Sequence, residues 1–382
     1  MLIGLALITL IAYTAMFLVY VQGVRAIKRL SDLPVSSSRE ILPTVSLIIP
    51  ARNEAQTLRP ALASLLKQDY PSFEVIAVND RSTDETGAIL DEEARAHPYL
   101  NVVHLQELPA GWIGKNYALW AGARRATGTL YLFADADVIM EPVAIRRAVD
   151  YLTSTGLDHL TIFPEVVAPR LGVQMFVSAF CFFFALAFRP WKARDPRSSC
   201  YVGIGAFNLI RAQAYQAMGT HQAIAMRPDD DMKFGKLVKR AGLRQEVLYG
   251  RGLIRVTWYA SLPEVIQGLM KNAFVGAGYS VTMVGLGVLL LALTGAWPFL
   301  ALLVTRGMVQ YVNGLIVAVI VLAHASHASL HRFKPWIGIG HPLASLIMSY
   351  VLIRATVTTL RAGGITWRGT YYPLPALRAS RV

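Results

Sequence analysis

The sequence predicts an α/β fold, a mostly parallel sheet with flanking helices, joined to transmembrane helices at the N- and C-terminal ends. Three observations carry that reading. Long uncharged apolar runs lie towards both termini, short β-rich runs alternate with helical ones between them, and polar clusters fall where those strands end. Composition agrees. Of 382 residues 54% are hydrophobic and 16% charged, and the mean hydropathy is +0.43, on the apolar side of ordinary soluble usage.

Met1–Val21 carries no charge and is followed by Arg25, Lys28 and Arg29. A helix of that length spans the roughly 30 Å hydrocarbon layer, and the basic flank puts its C-terminal end in the cytoplasm. With no basic leader and no small-residue cleavage site, residues 1–22 read as an uncleaved anchor rather than a signal peptide. Residues 23–43, with Pro34 and Ser36-Ser37-Ser38, read as a basic linker.

Residues 44–270 form the next domain. Val45–Ile49, Val75–Val78, Val102–Leu105 and Leu130–Phe133 are candidate strands. Between them, Glu54–Gln68 has Leu58, Leu62, Leu65 and Leu66 at helical spacing, and Lys115–Ala126 is a second helical run. Strands separated by helices argue for a parallel sheet whose ligands bind beyond the carboxyl ends. Arg52-Asn53-Glu54, Asn79-Asp80 and Asp135-Ala136-Asp137 all fall at such ends.

Leu171–Phe188 is long and apolar enough to tempt a transmembrane reading. A single crossing there would separate Asp135–Asp137 from Asp229-Asp230-Asp231, so the segment reads as interfacial or re-entrant. Residues 271–355 form a C-terminal membrane region of about three spans, from the uncharged runs Asn272–Thr305, Gly307–His331 and Pro335–Ile353. A basic tail, 356–382, follows. Three crossings from a cytoplasmic domain would leave that tail outside, against the positive-inside tendency, so the parity stays open. His324, His327 and His331 share one helical face at a span end beside basic residues, which reads as an interfacial cluster rather than a metal site.

The net charge of +13 comes without an arginine-rich tract or an aromatic RNA-binding signature, so nucleic acid is excluded. Much of the excess flanks the apolar runs, where anionic headgroups are met. Cys181 and Cys200 sit in no CxxC or metal-ligand spacing, which fits a reducing compartment.

Two acidic clusters carry the chemistry. Asp135 and Asp137 directly follow an apolar strand, at the rim. Carboxylate oxygens there suit a hard cation, Mg2+ or Mn2+, which would share the charge of a diphosphate. Asp229-Asp230-Asp231 precedes the helical run Met232–Ala241. One acid at a helix start is explained by capping. Three in a row repel, and crowding raises an apparent pKa as a general base requires. Asp231 is the first choice, Asp230 the second. Asp80 would hydrogen-bond a base or ribose, and Lys115 in Gly111–Lys115 would meet a phosphate; both also have ordinary surface readings. Gly203–Phe207 reads as a tight turn, either against substrate or purely structural.

Together these residues resemble the inverting family 2 glycosyltransferases of the GT-A fold, over roughly Val45 to Ala273. Val45–Glu54 looks like the family's opening strand and donor-binding turn, which brings in Pro50, Arg52 and Glu54. Asn79–Asp84 looks like its second donor segment, with Asp80 on the base. Asp135 and Asp137 match its metal-binding DxD, Asp137 being preferred as direct ligand and Asp135 shared with the donor. Asp230-Asp231 match the pair whose second member is the base. Gly111–Lys115, Gly203–Asn208 and Trp258-Tyr259 leading to Lys271-Asn272 resemble membrane enzymes that glycosylate carotenoid acids and hopene-associated glycosyltransferases. That resemblance puts Gly205, Trp258 and Lys271 on the acceptor side. The family's polymer synthases usually carry Gln-x-x-Arg-Trp; here the stretch is Gln267-Gly268-Leu269-Met270-Lys271.

The expected protein is a multi-pass enzyme of the cell inner membrane with a cytoplasmic catalytic domain. It would move one sugar from a nucleotide sugar, a UDP-sugar as first choice, to a lipid-like acceptor with inversion. Two alternatives stay open: a processive polysaccharide synthase, and a non-catalytic membrane scaffold or transport component with an inactive GT-A fold.

Overall fold

Successive side chains along a strand point to opposite faces, and apolar residues on both faces require a covering layer on each side. The computed structural model describes residues 2–34, 42–380 and 382. Its elements in chain order begin α1 (Leu2–Ala26), β1 (Val45–Ala51), α2 (Ala55–Leu66), β2 (Phe73–Asp80), α3 (Thr86–Ala96), β3 (Leu100–Leu105), α4 (Gly114–Ala123), β4 (Leu130–Phe133), β5 (Ile139–Met140), α5 (Ala144–Ser154), β6 (His159–Phe163) and β7 (Glu165–Val167). They continue with α6 (Leu171–Phe188), β8 (Asn208–Arg211), α7 (Ala212–Ala217), α8 (Asp230–Arg240), β9 (Gln245–Tyr249), β10 (Ile254–Thr257), α9 (Leu262–Gly276), α10 (Val281–Leu290), α11 (Trp297–Val304), α12 (Met308–Ala328) and α13 (His341–Ala362). A hairpin, β11 (Gly364–Trp367) and β12 (Thr370–Pro373), follows.

These elements divide into two compact units: 1–26, 167–189 and 258–375 form a helical unit, while 27–166, 190–257 and 376–382 form a sheet unit. The sheet runs β3-β2-β1-β4-β8-β6-β9. β1 is parallel to both β2 and β4, and β6 is parallel to β9; β8 runs antiparallel to β4 and β6. The expected mostly parallel sheet is present, with one reversed strand. That reversal matters, because it brings the loop entering β8 beside the carboxyl end of β4. A small second sheet orders β5-β10-β7.

One face of the large sheet buries Leu47, Ile49, Val75 and Leu132 against Leu58 and Leu62 of α2 and Ile145 and Val149 of α5. The other buries Ile48, Ile76, Val78 and Phe133 against Leu119 of α4 and Phe234 and Val238 of α8. Helices therefore cover both faces, and their leading ends meet the strand ends. Residues 27–34 belong to the sheet unit, with Leu30 fully buried. Residues 35–41 of the expected linker lie outside the described residues.

The helical unit supplies most of five helices long and apolar enough to cross a membrane: Leu2–Ala26, Leu171–Lys192, Val281–Val304, Met308–His331 and Pro335–Ala362. The uncharged run expected over Asn272–Thr305 is split. Its first residues finish α9, and α10 and α11 continue through a π-helical stretch, Leu291–Ala296. The histidines expected at an interface are interior instead. His324 and His327 are buried, and both approach the Ser178 hydroxyl of α6. An imidazole needs hydrogen-bond partners when buried, and a neighbouring helix supplies one where the sequence suggested headgroups.

Gly122 lets α4 lie close on the sheet: a Cβ there would sit 2.5 Å from Ile48 Cγ2 and 3.0 Å from Val78 Cγ2. Gly122→Ala is therefore expected to destabilise by about 1–3 kcal/mol through overpacking. Thermal unfolding of the purified protein in detergent checks this, and an unchanged midpoint would contradict the packing.

Candidate active site

Beyond the carboxyl ends of β1 and β2 two turns interlock. Asn53 and Arg81 both take positive φ, 53° and 55°. The Asn53 carboxamide oxygen accepts the Thr83 N–H at 2.8 Å, and the Asn53 N–H is donated to Ser82 Oγ at 3.1 Å. Glu54 N–H reaches Thr86 Oγ1 at 2.8 Å. Asp80 is buried, with Arg81 Nε at 2.8 Å from one oxygen and Arg52 Nη1 at 3.5 Å from the other. α4 begins against this cluster because its first residue is glycine; a Cβ on Gly114 would lie 2.4 Å from Asp80 Oδ2. Pro50 stands on β1 just before Arg52.

Lys115, in the first turn of α4, joins the two acidic clusters. Its Nζ lies 2.7 Å from Asp135 Oδ1 and 3.4 Å from Asp230 Oδ2. The neighbouring residue makes that possible. Asn116 is fully buried and donates its carboxamide N–H to the carbonyls of Ile224 at 2.8 Å and Arg227 at 3.0 Å. This fixes the segment leading into α8 against α4. Asp229 is drawn away from its two neighbours by Arg227, whose Nε and Nη2 each donate at 2.8 Å. So three consecutive acids do not share one space.

Gly205 connects the same clusters through its peptide groups. Its carbonyl accepts the Asp135 N–H at 3.1 Å, and its own N–H is donated to Asp231 Oδ2 at 3.3 Å. The other Asp231 oxygen accepts the Met232 N–H at 2.8 Å. The loop before β8 lies backbone to backbone on α8: a Cβ on Gly203 would fall 2.0 Å from the Asp231 carbonyl, and one on Gly235 2.1 Å from the Val202 carbonyl. Gln245, buried on β9, holds both sides, accepting the Val202 N–H at 3.1 Å and donating to the Gly235 carbonyl at 2.9 Å.

A narrow cleft results, lined by Lys115, Asp135, Gly205, Asp230 and Asp231, with His221, Phe133 and Phe234 among its apolar and aromatic walls. Asp137 is not part of that lining and interacts with Asp135 and Glu54. Among the expected acceptor-side residues, Gly205 lies in the cleft, while Trp258 and Lys271 belong to the helical unit. There Trp258 packs on Phe180, with ring centroids 4.7 Å apart, and Lys271 Nζ sits 3.9 Å over the Trp367 ring.

Electrostatics divide the acids into roles. Burial, then the Asp135 and Glu54 charges, push Asp137 up to about 7. Burial, then Asp230, push Asp231 up to about 6, with Lys115 and the Met232 N–H opposing. Lys115 stays charged: burial favours the neutral amine, but Asp135, Asp230 and Asp231 outweigh it. Burial and then Lys115 lower His221 to about 3, so it is a neutral wall. Among the described residues no three His, Cys, Asp or Glu side chains converge on a metal position.

Residues 46–218 match the sequence model of the family described as glycosyl transferase family 2. The segment is a family 2 glycosyl transferase domain. Relatives of the chain include the 4,4'-diaponeurosporenoate glycosyltransferase of Staphylococcus aureus strain bovine RF122 / ET3-1, 23% identical over 338 residues, 87% of this chain and 88% of that protein. The same enzyme of strain MRSA252 is 23% identical over 86% of this chain and 88% of its own length. Among solved structures, the mannosyltransferase PcManGT from Pyrobaculum calidifontis, in complex with GDP-Man and Mn2+, has a TM-score of 0.54 at 19% identity. It covers 94% of this chain and 99% of its own. That likeness bears out the expected GT-A-type fold.

Arg52, Glu54, Asp80, Lys115, Asp135, Gly205, Asp230 and Asp231 were singled out from the sequence. Asn116 and Gln245 were not. Each is a buried polar group whose partners are backbone atoms distant in sequence, so no local pattern marks it.

Two predictions follow from the geometry. A Cβ at position 205 would lie 2.6 Å from Asp135 Oδ2, so Gly205→Ala should cut transfer at least tenfold while leaving the thermal midpoint within a few degrees. Parallel rate and unfolding measurements decide it. Secondly, with a hydroxyl acceptor that gives its proton to Asp231, that carboxylate must be ionised, so the rate should rise with pH through about 6. Asp230→Asn removes a charge that raises Asp231, so the residual activity should show this limb at lower pH. Stability runs oppositely: the Asp231 value is raised from 3.8, so its contribution is full below about 4 and lost as pH rises through about 6.

Proposed function

We propose that this family 2 glycosyltransferase moves a single sugar from a nucleotide sugar to a lipid-like acceptor, with inversion and with a divalent cation. The observation that carries the proposal is Lys115 bridging Asp135 and Asp230 in one cleft, with Asp231 held by the Gly205 N–H. One wall is thus suited to a diphosphate and the facing wall to a proton.

The donor side comprises Pro50, Arg52, Glu54, Asp80, Lys115 and Asp135. The interlocked turns fix the base and ribose end, where Asp80 is already oriented by two arginines, and the Lys115 ammonium takes phosphate charge. Asp137 and Asp135 would hold Mg2+ or Mn2+; their carboxylate oxygens fit a hard cation, and the crowding that raises Asp137 is relieved by one. With fewer than three converging His, Cys, Asp or Glu side chains among the described residues, the remaining ligands would be diphosphate oxygens and water. Bound there, the cation supplies Lewis-acid stabilisation of the departing diphosphate.

Asp231 accepts the proton of the acceptor hydroxyl. That oxygen bonds to the anomeric carbon as the bond to the nucleoside diphosphate breaks on the opposite face, which inverts the configuration. The Gly205 N–H fixes the Asp231 carboxylate during the approach, and the fixed geometry provides alignment. The relatives are named for a carboxylate acceptor. Such a group is already ionised in neutral water, and with it the acid limb set by Asp231 would be weak or absent. pH profiles on hydroxyl and carboxyl lipids therefore separate the two acceptor classes.

Five apolar helices of membrane-crossing length support residence in the inner membrane, with the sheet unit cytoplasmic. The chain leaves the sheet unit at Val166 and rejoins it at Pro190, and both acidic clusters line one cleft of that unit. We therefore assign α6 to the interface or to a re-entrant position. The missing Gln-x-x-Arg-Trp supports one transfer over processive synthesis.

The test is incubation of membranes with labelled UDP-, GDP- and other nucleotide sugars, followed by mass analysis of the lipid extract. One added hexose is expected, lost with a chelator and restored by Mg2+ or Mn2+. Asp231→Asn should reduce transfer by about 10³-fold or more, on the scale of general-base and alignment losses. Asp137→Ala should also weaken metal-dependent donor binding. A polymer product, or full cellular function in both variants, would overturn the proposal.

A further inference from the structure

Three histidines inside the helical unit belong to one chain of hydrogen bonds that the transfer reaction does not use. Tyr13 OH lies 3.4 Å from His341 Nε2, and His341 Nδ1 lies 2.9 Å from His324 Nε2. His324 Nδ1 is 2.8 Å from the Ser178 hydroxyl, which is 3.1 Å from His327 Nε2. His327 Nδ1 is 3.2 Å from the Ala323 carbonyl. All five side chains are buried, and they come from α1, α6, α12 and α13.

The last link sets the direction of every other one. A carbonyl only accepts, so His327 carries its proton on Nδ1, and neutral imidazole then has only a lone pair on Nε2. The single Ser178 proton must point there. Ser178 therefore accepts from His324, which places that proton on Nδ1 as well. His324 Nε2 is then an acceptor, so His341 must be protonated on Nδ1, leaving its Nε2 to accept from Tyr13. One assignment satisfies every contact with neutral rings. The chain ends on a carbonyl with no proton to pass on, so it is no conduit across the bilayer.

We propose that this chain is a neutral, proton-ordered clasp that fixes the packing of four apolar helices, with His324, His327 and His341 all held in the Nδ1–H form. Apart from Arg25 on α1 and Arg354 and Arg361 on α13, these four helices carry no Lys, Arg, Asp or Glu. The other titratable groups packed beside the chain are Tyr20, against the His327 ring, and Cys181 with His331.

The test is solid-state NMR of the full chain in lipid bilayers with site-assigned ¹⁵N and ¹³C imidazole signals. Three neutral Nδ1–H rings are expected; an Nε2–H tautomer or an imidazolium at any of the three overturns the proposal. Direction is tested by two variants. Tyr13→Phe should leave all three tautomers unchanged, because the order is set from the Ala323 end. Ser178→Ala should leave His327 unchanged and move His324 and His341 to Nε2–H. If Ser178→Ala fails to fold, the wild-type and Tyr13→Phe spectra still decide the assignment.

Discussion

The site depends on one partly buried ammonium. Lys115 contacts acids from two distant parts of the chain, Asp135 after β4 and Asp230 in the first turn of α8. Without a cation there, these carboxylates would face each other in a confined space, where like charges are costly. Lys115 is therefore both a constraint on folding and a probe of the chemistry. Under the proposed function, the same balance of charge would have to be kept with a diphosphate and its metal bound.

The sheet topology explains why this juxtaposition is available. β4 ends at the crevice where ligands of parallel sheets collect, and the antiparallel β8 delivers the Gly203–Gly205 turn to the same rim. Glycine is required there for approach rather than for freedom of φ. Gly203 and Gly235 admit backbone contact between the turn and α8, while Gly205 leaves room for the Asp135 carboxylate. Asn116 and Gln245 then lock α4, the turn and α8 into a single register.

Much of this was legible in the sequence. The strand runs ended in Arg52, Asp80 and Asp135, and leucines at helical spacing marked α2. The acids Asp230 and Asp231 stood out because repulsion among three neighbours asks for a reason. What stayed hidden was tertiary. β8, β6 and β9 are too short and too interrupted by polar residues to declare their order, and a reversed strand has no local signature. Asn116 reads as an ordinary helix residue until the carbonyls of Ile224 and Arg227 are beside it. The histidines near the end of α12 looked interfacial for the same reason, since Ser178 lies far away in sequence.

The most direct measurement is a structure of the protein in lipid with a non-transferable nucleotide sugar and Mn2+. The expected density has the cation on Asp135 and Asp137, the diphosphate beside Lys115, and the Asp231 carboxylate facing the anomeric carbon from the side opposite the leaving group. A donor bound outside this cleft, or an Asp231 carboxylate turned away from the anomeric carbon, would contradict a shared site for the two acidic clusters.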